Sequence, residues 1–517
     1  MKRYSSITIL LLLAITVVYA ACRKDTSSLD NNKIPGVSFD TTGQSTLSVY
    51  QFERLVVEPK INTEGIEEKD LTYSWRITQV YNDTTTTELG NQRNLDAEIR
   101  FPPTNPGSEL RLLYVVTDTK HDLKYIMNWR LTVRNNIGMG LVVAELDANG
   151  KADLTHIMNP DLTLDYNDES VKHNVFSSIN GSRIEGEIKK MKYVKVSDGN
   201  AIIALTDNSL TKISTLDYKQ SGFNGDLFFA PTTINNVQGI YSVYQNDVLV
   251  VNGQLFPTWM AISKKWGIPL DNNVEMPDVM ALNPFNSSAT TNPYYPAFVI
   301  NLYNEEEGWF NYIGSLNSFA DRNPYRHPEQ AGQAFNPNDL PGKKNLAAGV
   351  TVDKGFIHVL KDKSTNAVGV YLFNAGVNEA STLTPPLATS YFDISNAPGI
   401  QQATLFTMLD DQRLFYYASG NKIYAVMYGG ATPIVEERYT APGTEQITAM
   451  DVFRQADYPY SASYLPANNK LLMVGTHASE GKLYFFPMKN IGLGTLDVAN
   501  AKSYGGFKKI TAFATQL

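Results

Sequence analysis

The segment between residues 257 and 335 is rich in side chains that could bind a ligand. It holds three of the five tryptophans of the chain, together with tyrosines, an arginine and a histidine. Exposed rings stack on sugar faces or peptide side chains, and arginine forms paired hydrogen bonds with carboxylates. We therefore predict a ligand site here, with packing inside the fold as the alternative for each ring. The candidate residues are Trp259, Trp266, Tyr294, Tyr295, Trp309, Arg322, Tyr325 and His327.

Motifs for catalysis and metal binding are missing from the sequence. It has no His-Glu-x-x-His, no Gly-x-Ser-x-Gly, no phosphate-binding loop and no cysteine pair. Asp147–Asp153 resembles the start of a calcium loop, but Met158 and Asn159 stand where a bidentate acid is needed. An exposed hairpin turn is the simpler interpretation. We therefore predict no metal, no cofactor and no catalytic residue, and whether the protein is an enzyme stays open.

The charge balance argues against nucleic-acid binding. The chain has 44 lysines and arginines against 52 acidic residues, a net charge of −8, and no long basic cluster. Its 29 tyrosines, 23 phenylalanines, 35 glycines and 25 prolines favour strands and turns over long helices. The sequence thus predicts an all-β protein.

The amino terminus has the pattern of an export signal. Lys2 and Arg3 precede an apolar run from Ile7 to Ala20, and the sole cysteine, Cys22, follows directly. This resembles a bacterial lipobox, in which the chain is cut before a cysteine that carries acyl chains such as palmitate. We predict a signal peptide over residues 1–21, lipidation of Cys22 and a flexible tether over 22–45. The membrane would then be a partner of the chain through this anchor.

Residues 46–135 are predicted to form a small immunoglobulin-like β-sandwich. Leu71, Tyr73, Trp75 and Ile77 alternate with polar residues and would share one face of a strand. Trp75 is expected in the core, although a sugar-stacking role is the alternative.

From residue 136 onward, hairpins recur with a period of about 55 residues. Each consists of an apolar strand, a polar turn and a second apolar strand. We predict a seven-bladed β-propeller over residues 136–517, closed by pairing of the last strand, near Lys508–Thr515, with the chain near residue 140. Two stacked β-sandwiches are the alternative. The predicted turns lie at 147–150, 207–208, 252–253, 304–308, 363–366, 420–421 and 477–481.

Several strings resemble the PKD-like family of lipoproteins from Bacteroidetes. They include Leu71-Thr72-Tyr73-Ser74-Trp75, Gly140-Leu141-Val142-Val143-Ala144-Glu145 and Asn149-Gly150-Lys151-Ala152-Asp153-Leu154. Leu414-Phe415-Tyr416-Tyr417-Ala418-Ser419-Gly420-Asn421-Lys422-Ile423-Tyr424-Ala425 also fits. The resemblance implies an accessory protein on the outer membrane, facing the surface, that captures oligosaccharides or peptides beside a SusC/SusD-type TonB-dependent importer.

Two other functions remain open from the sequence. A propeller hydrolase or lyase acting on polysaccharide or peptide predicts Asp, Glu or His side chains at one channel mouth with shifted pKa values. A purely structural partner of a SusD-like protein predicts an exposed apolar patch and no small-molecule pocket.

Overall fold

The computed structural model describes most of the chain and divides it into two compact units, residues 1–134 and 135–517. The described residues are 36–42, 45–79, 82–101, 104, 110–134, 136–195, 200–243, 246–270, 274–285, 298–314, 316, 323–379, 382–459 and 464–517. Within them the protein is all-β, and no helix is long and apolar enough to cross a bilayer.

The first unit is built from short strands around one aromatic core. Five strands form a sheet in the order β2-β9-β8-β5-β6, with β2 parallel to β9, while β1 pairs with β4 and β3 pairs with β7. A 3₁₀ turn, Glu68–Asp70, precedes β5. The strands are β1 (Gly36–Phe39), β2 (Thr46–Tyr50), β3 (Arg54–Val57), β4 (Ile61–Glu64), β5 (Leu71–Gln79), β6 (Asn82–Gly90), β7 (Leu95–Glu98), β8 (Leu110–Asp118) and β9 (Leu123–Arg134).

Alternation along β5 places the predicted side chains in this core. Trp75 is fully buried, and its ring lies 4.2 Å from that of Tyr114 on β8. The Trp75 indole N–H donates to the Gln92 carbonyl at 2.9 Å, so the polar edge of the ring is satisfied. The predicted core position of Trp75 is confirmed. Strand β1 lies inside residues 22–45, the range predicted as a flexible tether. It is ordered there because its Val37 packs into the same core.

The second unit consists of successive antiparallel sheets, each made from one local stretch of chain except the first, which also takes in the carboxyl-terminal strand. The first sheet holds β10 (Gly140–Leu146), β11 (Lys151–Met158), β12 (Ser170–Lys172) and β13 (Ile184–Glu185), with helix α1 (Val175–Asn180) between the last two. The second holds β14 (Lys190–Val194), β15 (Ala201–Leu205), β16 (Leu210–Ser214) and β17 (Gln220–Phe223). The third holds β18 (Val237–Val243), β19 (Asn246–Val251) and β20 (Gln254–Phe256), followed by a hairpin of β21 (Trp259–Met260) and β22 (Lys265–Trp266).

The remaining sheets follow the same plan. The fourth holds β23 (Met280–Leu282), β24 (Ile300–Asn304), β25 (Trp309–Ile313) and β26 (Tyr325–Arg326). The fifth holds β27 (Lys343–Val350), β28 (Phe356–Asp362), β29 (Val368–Phe373) and β32 (Ala388–Asp393), with a side hairpin of β30 (Val377–Glu379) and β31 (Thr382–Thr384). The sixth holds β33 (Leu405–Met408), β34 (Leu414–Ser419), β35 (Lys422–Met427) and β36 (Ile434–Thr440). The seventh holds β37 (Gln446–Val452), β38 (Leu471–His477), β39 (Gly481–Asn490), β40 (Thr495–Leu496) and β41 (Lys502–Phe507). Short 3₁₀ turns lie at Asn224–Leu227, Ile400–Gln402 and Val498–Asn500.

All seven predicted hairpins are present, one in each sheet of this unit. They join β10 to β11, β15 to β16, β19 to β20, β24 to β25, β28 to β29, β34 to β35 and β38 to β39. The predicted return of the carboxyl-terminal strand is also confirmed. Strand β42 (Lys509–Gln516) pairs with β10, with Gly140 opposite Gln516.

Buried side chains fill the space between neighbouring sheets. Phe310 of the fourth sheet and Phe356 of the fifth share one such cluster, and another joins Leu483 of the seventh sheet to Leu141 of the first. Middle strands such as β34 are therefore buried on both faces, which explains why they read as unbroken apolar runs. One edge strand from each sheet, here called the inner strands, contacts the next in a closed cycle: β42, β14, β18, β23, β27, β33, β37 and again β42.

Candidate functional site

The inner strands enclose a cavity of about 750 Å³ in the second unit. Residues from every inner strand line it, so the site is assembled from segments that are far apart in sequence. Its wall carries lysine, arginine, aspartate and glutamine side chains beside tyrosine and phenylalanine rings. A concave site that mixes apolar rings with a few polar groups is the usual form of a small-ligand site. We call this cavity the channel.

One side of the channel presents the ammonium group of Lys190. This residue begins β14, and its Nζ lies 3.4 Å from the centre of the Tyr241 ring on β18. The Tyr241 hydroxyl donates to the Asp278 carbonyl at 2.8 Å, which fixes the ring beneath the cation. Burial lowers the pKa of Lys190 to about 7, while the charge of Asp451 works in the opposite direction.

Another part of the channel wall carries an aspartate and arginine group, Asp410, Asp451 and Arg454. The Arg454 guanidinium donates to the Met408 carbonyl at 2.8 Å and lies 3.4 Å from Asp410 Oδ2 and 3.8 Å from Asp451 Oδ1. The Tyr458 hydroxyl donates to Asp410 Oδ1 at 2.9 Å. Burial raises the pKa of Asp451, although the neighbouring Arg454 partly opposes the shift.

Two further groups with shifted pKa values feel the charge of Asp410. Burial and the charge of Asp410 raise the pKa of Asp411. Burial lowers the pKa of Lys354, whose Nζ lies 3.4 Å from the centre of the Phe285 ring. The channel thus places a poorly solvated cation and hydrogen-bonding carboxyl groups around one space. That arrangement can hold a polar ligand, and the perturbed Asp451 could also exchange protons with one.

The predicted aromatic site separates into two groups. Trp259 and Trp266 pack against each other, with ring centres 5.2 Å apart, in the core between the second and third sheets. Trp266 is fully buried, and the Trp259 indole N–H donates to the Lys195 carbonyl at 2.9 Å. Their positions match the packing alternative.

The second aromatic group lies on the fourth sheet. The Arg326 guanidinium sits 3.8 Å above the half-buried Trp309 ring, and Tyr325 is 44% exposed. His327 is buried between Tyr312 and Phe373. Trp309 and Tyr325 therefore keep accessible surface. The predicted residues Cys22, Tyr294, Tyr295 and Arg322 lie outside the described residues.

The loop that resembles a calcium site is a hairpin turn, as predicted. Asp147 accepts hydrogen bonds from the backbone N–H groups of Asn149 and Lys151 at 2.8 and 3.0 Å. Arg183 forms ion pairs with both Asp147 and Asp153, so an arginine already neutralises these acids. Across the described part of the chain, no cluster of three His, Cys, Asp or Glu residues could hold a metal ion.

Sequence reasoning missed the channel residues Lys190, Arg454 and Asp451. Lys190 and Lys192 alternate with apolar residues in a strand whose core positions are buried. That pattern indicates a charged surface on an inner strand and could have identified the lysines. Asp451 and Arg454 have no comparable signal, because only the closed cycle of strands brings them to the same channel as β14.

Part of the chain matches a known protein family, and several solved structures are similar to it over much of its length. Residues 30–187 match the model of the PKD-like family, whereas no curated protein sequence matches. A quinonprotein alcohol dehydrogenase-like protein from Bacteroides thetaiotaomicron is similar at 12% identity, over 93% of this chain and 98% of that one, with a TM-score of 0.46. PorZ, a surface component of the type-IX secretion system of Porphyromonas gingivalis, is similar at 10% identity, over 78% of this chain and 44% of that one, with a TM-score of 0.33. The β-propeller domain of Cps50 (Swd1) from Myceliophteria thermophila is similar at 10% identity, over 66% of this chain and 94% of that one, with a TM-score of 0.32.

Proposed function

We propose that this protein is a ligand-binding lipoprotein of a bacterial outer membrane and that its ligand, an oligosaccharide or a peptide, enters the channel. The observation that carries the proposal is the cavity of about 750 Å³, which every inner strand lines with charged, polar and aromatic residues. Its volume suits a short oligomer of sugars or amino acids.

We further propose that the second unit is a seven-bladed β-propeller and that the first is an immunoglobulin-like sandwich acting as a spacer. The cycle of contacts among the inner strands and the pairing of β42 with β10 support the propeller. Closure in this way covers the inner edge of each sheet and leaves only short outer edges. It also gives a ring of strands around one axis, where propellers hold their ligands.

The surface location rests on the amino-terminal sequence and on the PKD-like match, which fits an accessory surface protein. We propose that acyl chains on Cys22 hold the protein on the outer membrane beside a SusC/SusD-type importer. Cys22→Ser should release the protein from the membrane fraction. A variant that stays in that fraction would contradict the anchor. Protection of the unaltered protein from protease added to whole cells would contradict the outward orientation.

Blocking the channel tests the binding function. Thr404 is exposed and lines the channel, so Thr404→Trp places a large ring at its wall without entering a core. The matched control is Thr444→Trp, at an exposed loop position in the same unit. In a screen of glycans and peptides by calorimetry, the first variant should lose affinity for any ligand that the unaltered chain binds, and the second should keep it. Equal affinity in both variants would place the ligand elsewhere.

A hydrolase or lyase is the second candidate function, because Asp451 lines the channel and burial raises its pKa. The enzyme alternative predicts acids with shifted pKa values at the channel. Turnover of a bound ligand, lost in Asp451→Asn while binding persists, would establish it. Binding without any turnover over days would leave the first function.

A further inference from the structure

Among the residues that the structure describes, none offers the Lys190 ammonium group a carboxylate partner. Of the nearby lysines, Lys189 forms an ion pair with Asp207, and Lys192 Nζ lies 3.3 Å from Asp247 Oδ1. No carboxylate among the described residues lies within 4.0 Å of Lys190 Nζ. Its contact is instead the face of the Tyr241 ring.

This arrangement leaves Lys190 poorly compensated when the channel is empty. Removing an ammonium from water costs free energy unless an opposite charge or hydrogen bonds replace the water. The ring quadrupole of Tyr241 supplies part of that compensation. A ligand with an anionic oxygen would supply the rest, and it would reach Lys190 through the channel that the residue lines.

Acidic residues of the channel wall limit how much negative charge the ligand carries. Asp410 and Asp451 line the channel, and a densely charged polyanion would meet their repulsion. Arg454 already places a positive charge beside Asp410 and Asp451. These carboxylates are therefore suited to accept hydrogen bonds from hydroxyl groups rather than to bind another cation. The half-buried rings of Phe406 and Tyr458 on the wall offer stacking surfaces.

Resting on the proposed binding function, we propose that the channel binds a saccharide with an isolated carboxylate, a uronic-acid unit, whose carboxylate contacts Lys190 and whose hydroxyl groups face Asp451. The ammonium and carboxylate form a charge-assisted hydrogen bond in a poorly solvated site. Because burial lowers the pKa of Lys190 to about 7, the carboxylate also draws a proton onto the amine as it binds. The charged groups that act on Lys190 there are Asp451 and Lys192.

Calorimetry on the purified full chain tests this assignment with digalacturonic acid, neutral galactobiose and the dipeptide Gly-Glu. Digalacturonic acid should bind at least about tenfold more tightly than galactobiose, the value of one charge-assisted hydrogen bond. Its affinity should fall as the pH rises from 6 to 9, because Lys190 loses its proton. Gly-Glu should bind no better than galactobiose, and tighter binding of the dipeptide would overturn the saccharide assignment.

Variants separate the role of Lys190 from general effects on folding. Lys190→Met should lose the preference for digalacturonic acid, and Lys190→Arg should keep it without the decline above pH 7. The control, Lys422→Met, removes an exposed lysine that is ion-paired with Glu437 outside the channel, and it should match the unaltered chain. Thermal unfolding of each variant verifies folding.

The possible failures are distinguishable. If digalacturonic acid and galactobiose bind equally well, or if Lys190→Met keeps the preference, the uronate assignment is wrong and the binding function stands. If no saccharide or peptide binds at all, the proposed function itself is wrong.

Discussion

The Tyr218 hydroxyl donates a hydrogen bond to Gln516 Oε1 at 3.0 Å, although 298 residues separate them in the sequence. Tyr218 is fully buried and follows the third strand of the second sheet, whereas Gln516 ends β42 in the first. The Gln516 amide also donates to the Gly138 carbonyl at 2.8 Å. One side chain at the end of the chain thus joins two sheets and the start of the second unit.

Removing that hydroxyl should destabilise the second unit. Tyr218→Phe leaves Gln516 Oε1 buried without a donor, which costs about 1–3 kcal/mol of unfolding free energy. Urea unfolding followed by near-ultraviolet circular dichroism measures the loss. Tyr391→Phe is the control, because the Tyr391 ring is 47% exposed and its substitution should change stability little. Equal stability of the two variants would show that the Tyr218 bond contributes nothing to closure.

Removal of the whole last strand should have a larger effect. Without residues 509–517, β10 loses one of its two partner strands and the contact between β42 and β14 disappears. The second unit should then lose cooperative unfolding and expose apolar surface to a hydrophobic dye. A synthetic peptide of residues 509–517 should restore the transition, whereas a scrambled peptide should not. A truncated chain that unfolds as sharply as the full chain would refute closure by β42.

Local patterns explain why the hairpins could be predicted and the channel could not. Asn252-Gly253 forms a turn with both residues at positive φ, a conformation that this dipeptide favours by itself. A hairpin therefore depends on a few neighbouring residues. The contact of Lys190 with Tyr241 instead depends on how two sheets pack. The same limit applies to Trp266. Its residue type and its position in an aromatic-rich segment suit either a ligand-stacking surface or a core, and only its burial in the structure distinguishes the two.

The two groups of tryptophans should respond differently to truncation. Trp266→Ala removes a fully buried ring and should cost about 3–5 kcal/mol, as large-to-small core substitutions do. Trp309→Ala removes a half-buried ring that stacks under Arg326 and should cost much less. Chemical unfolding of both variants measures the difference. Equal losses would mean that Trp309 is as important to packing as Trp266.

Lys190 should lower the stability of the unliganded protein. Because burial lowers its pKa from 10.5 to about 7, the unfolded chain holds a proton between those values that the folded chain has released. Stability from this group therefore rises with pH across that window, and the full penalty applies below pH 7. Lys190→Met should make the unliganded protein more stable at pH 6 and should bring little gain near pH 10.5. Urea unfolding at both pH values tests the sign, and a less stable variant at pH 6 would contradict it.

Buried histidines should make the second unit sensitive to acid. Burial lowers the pKa of His156 and His358 to about 3 and that of His327 to about 4. The hydrogen bonds around His327 match a neutral ring, since Nδ1 donates to the Pro386 carbonyl at 3.0 Å and Nε2 accepts from the Asn301 amide at 3.2 Å. A protonated Nε2 would face the Asn301 amide donor.

As the pH falls from 6.5 towards 4, the unfolded chain takes up protons that these rings cannot accept, so stability falls with it. Each histidine contributes a slope of about 1.4 kcal/mol per pH unit in that window. His358→Gln should reduce the total slope by about that amount, although its unfolding free energy at pH 8 falls through lost packing. Because the comparison uses slopes, the packing loss cancels. A variant with the slope of the unaltered chain would show that His358 takes up its proton equally in both states.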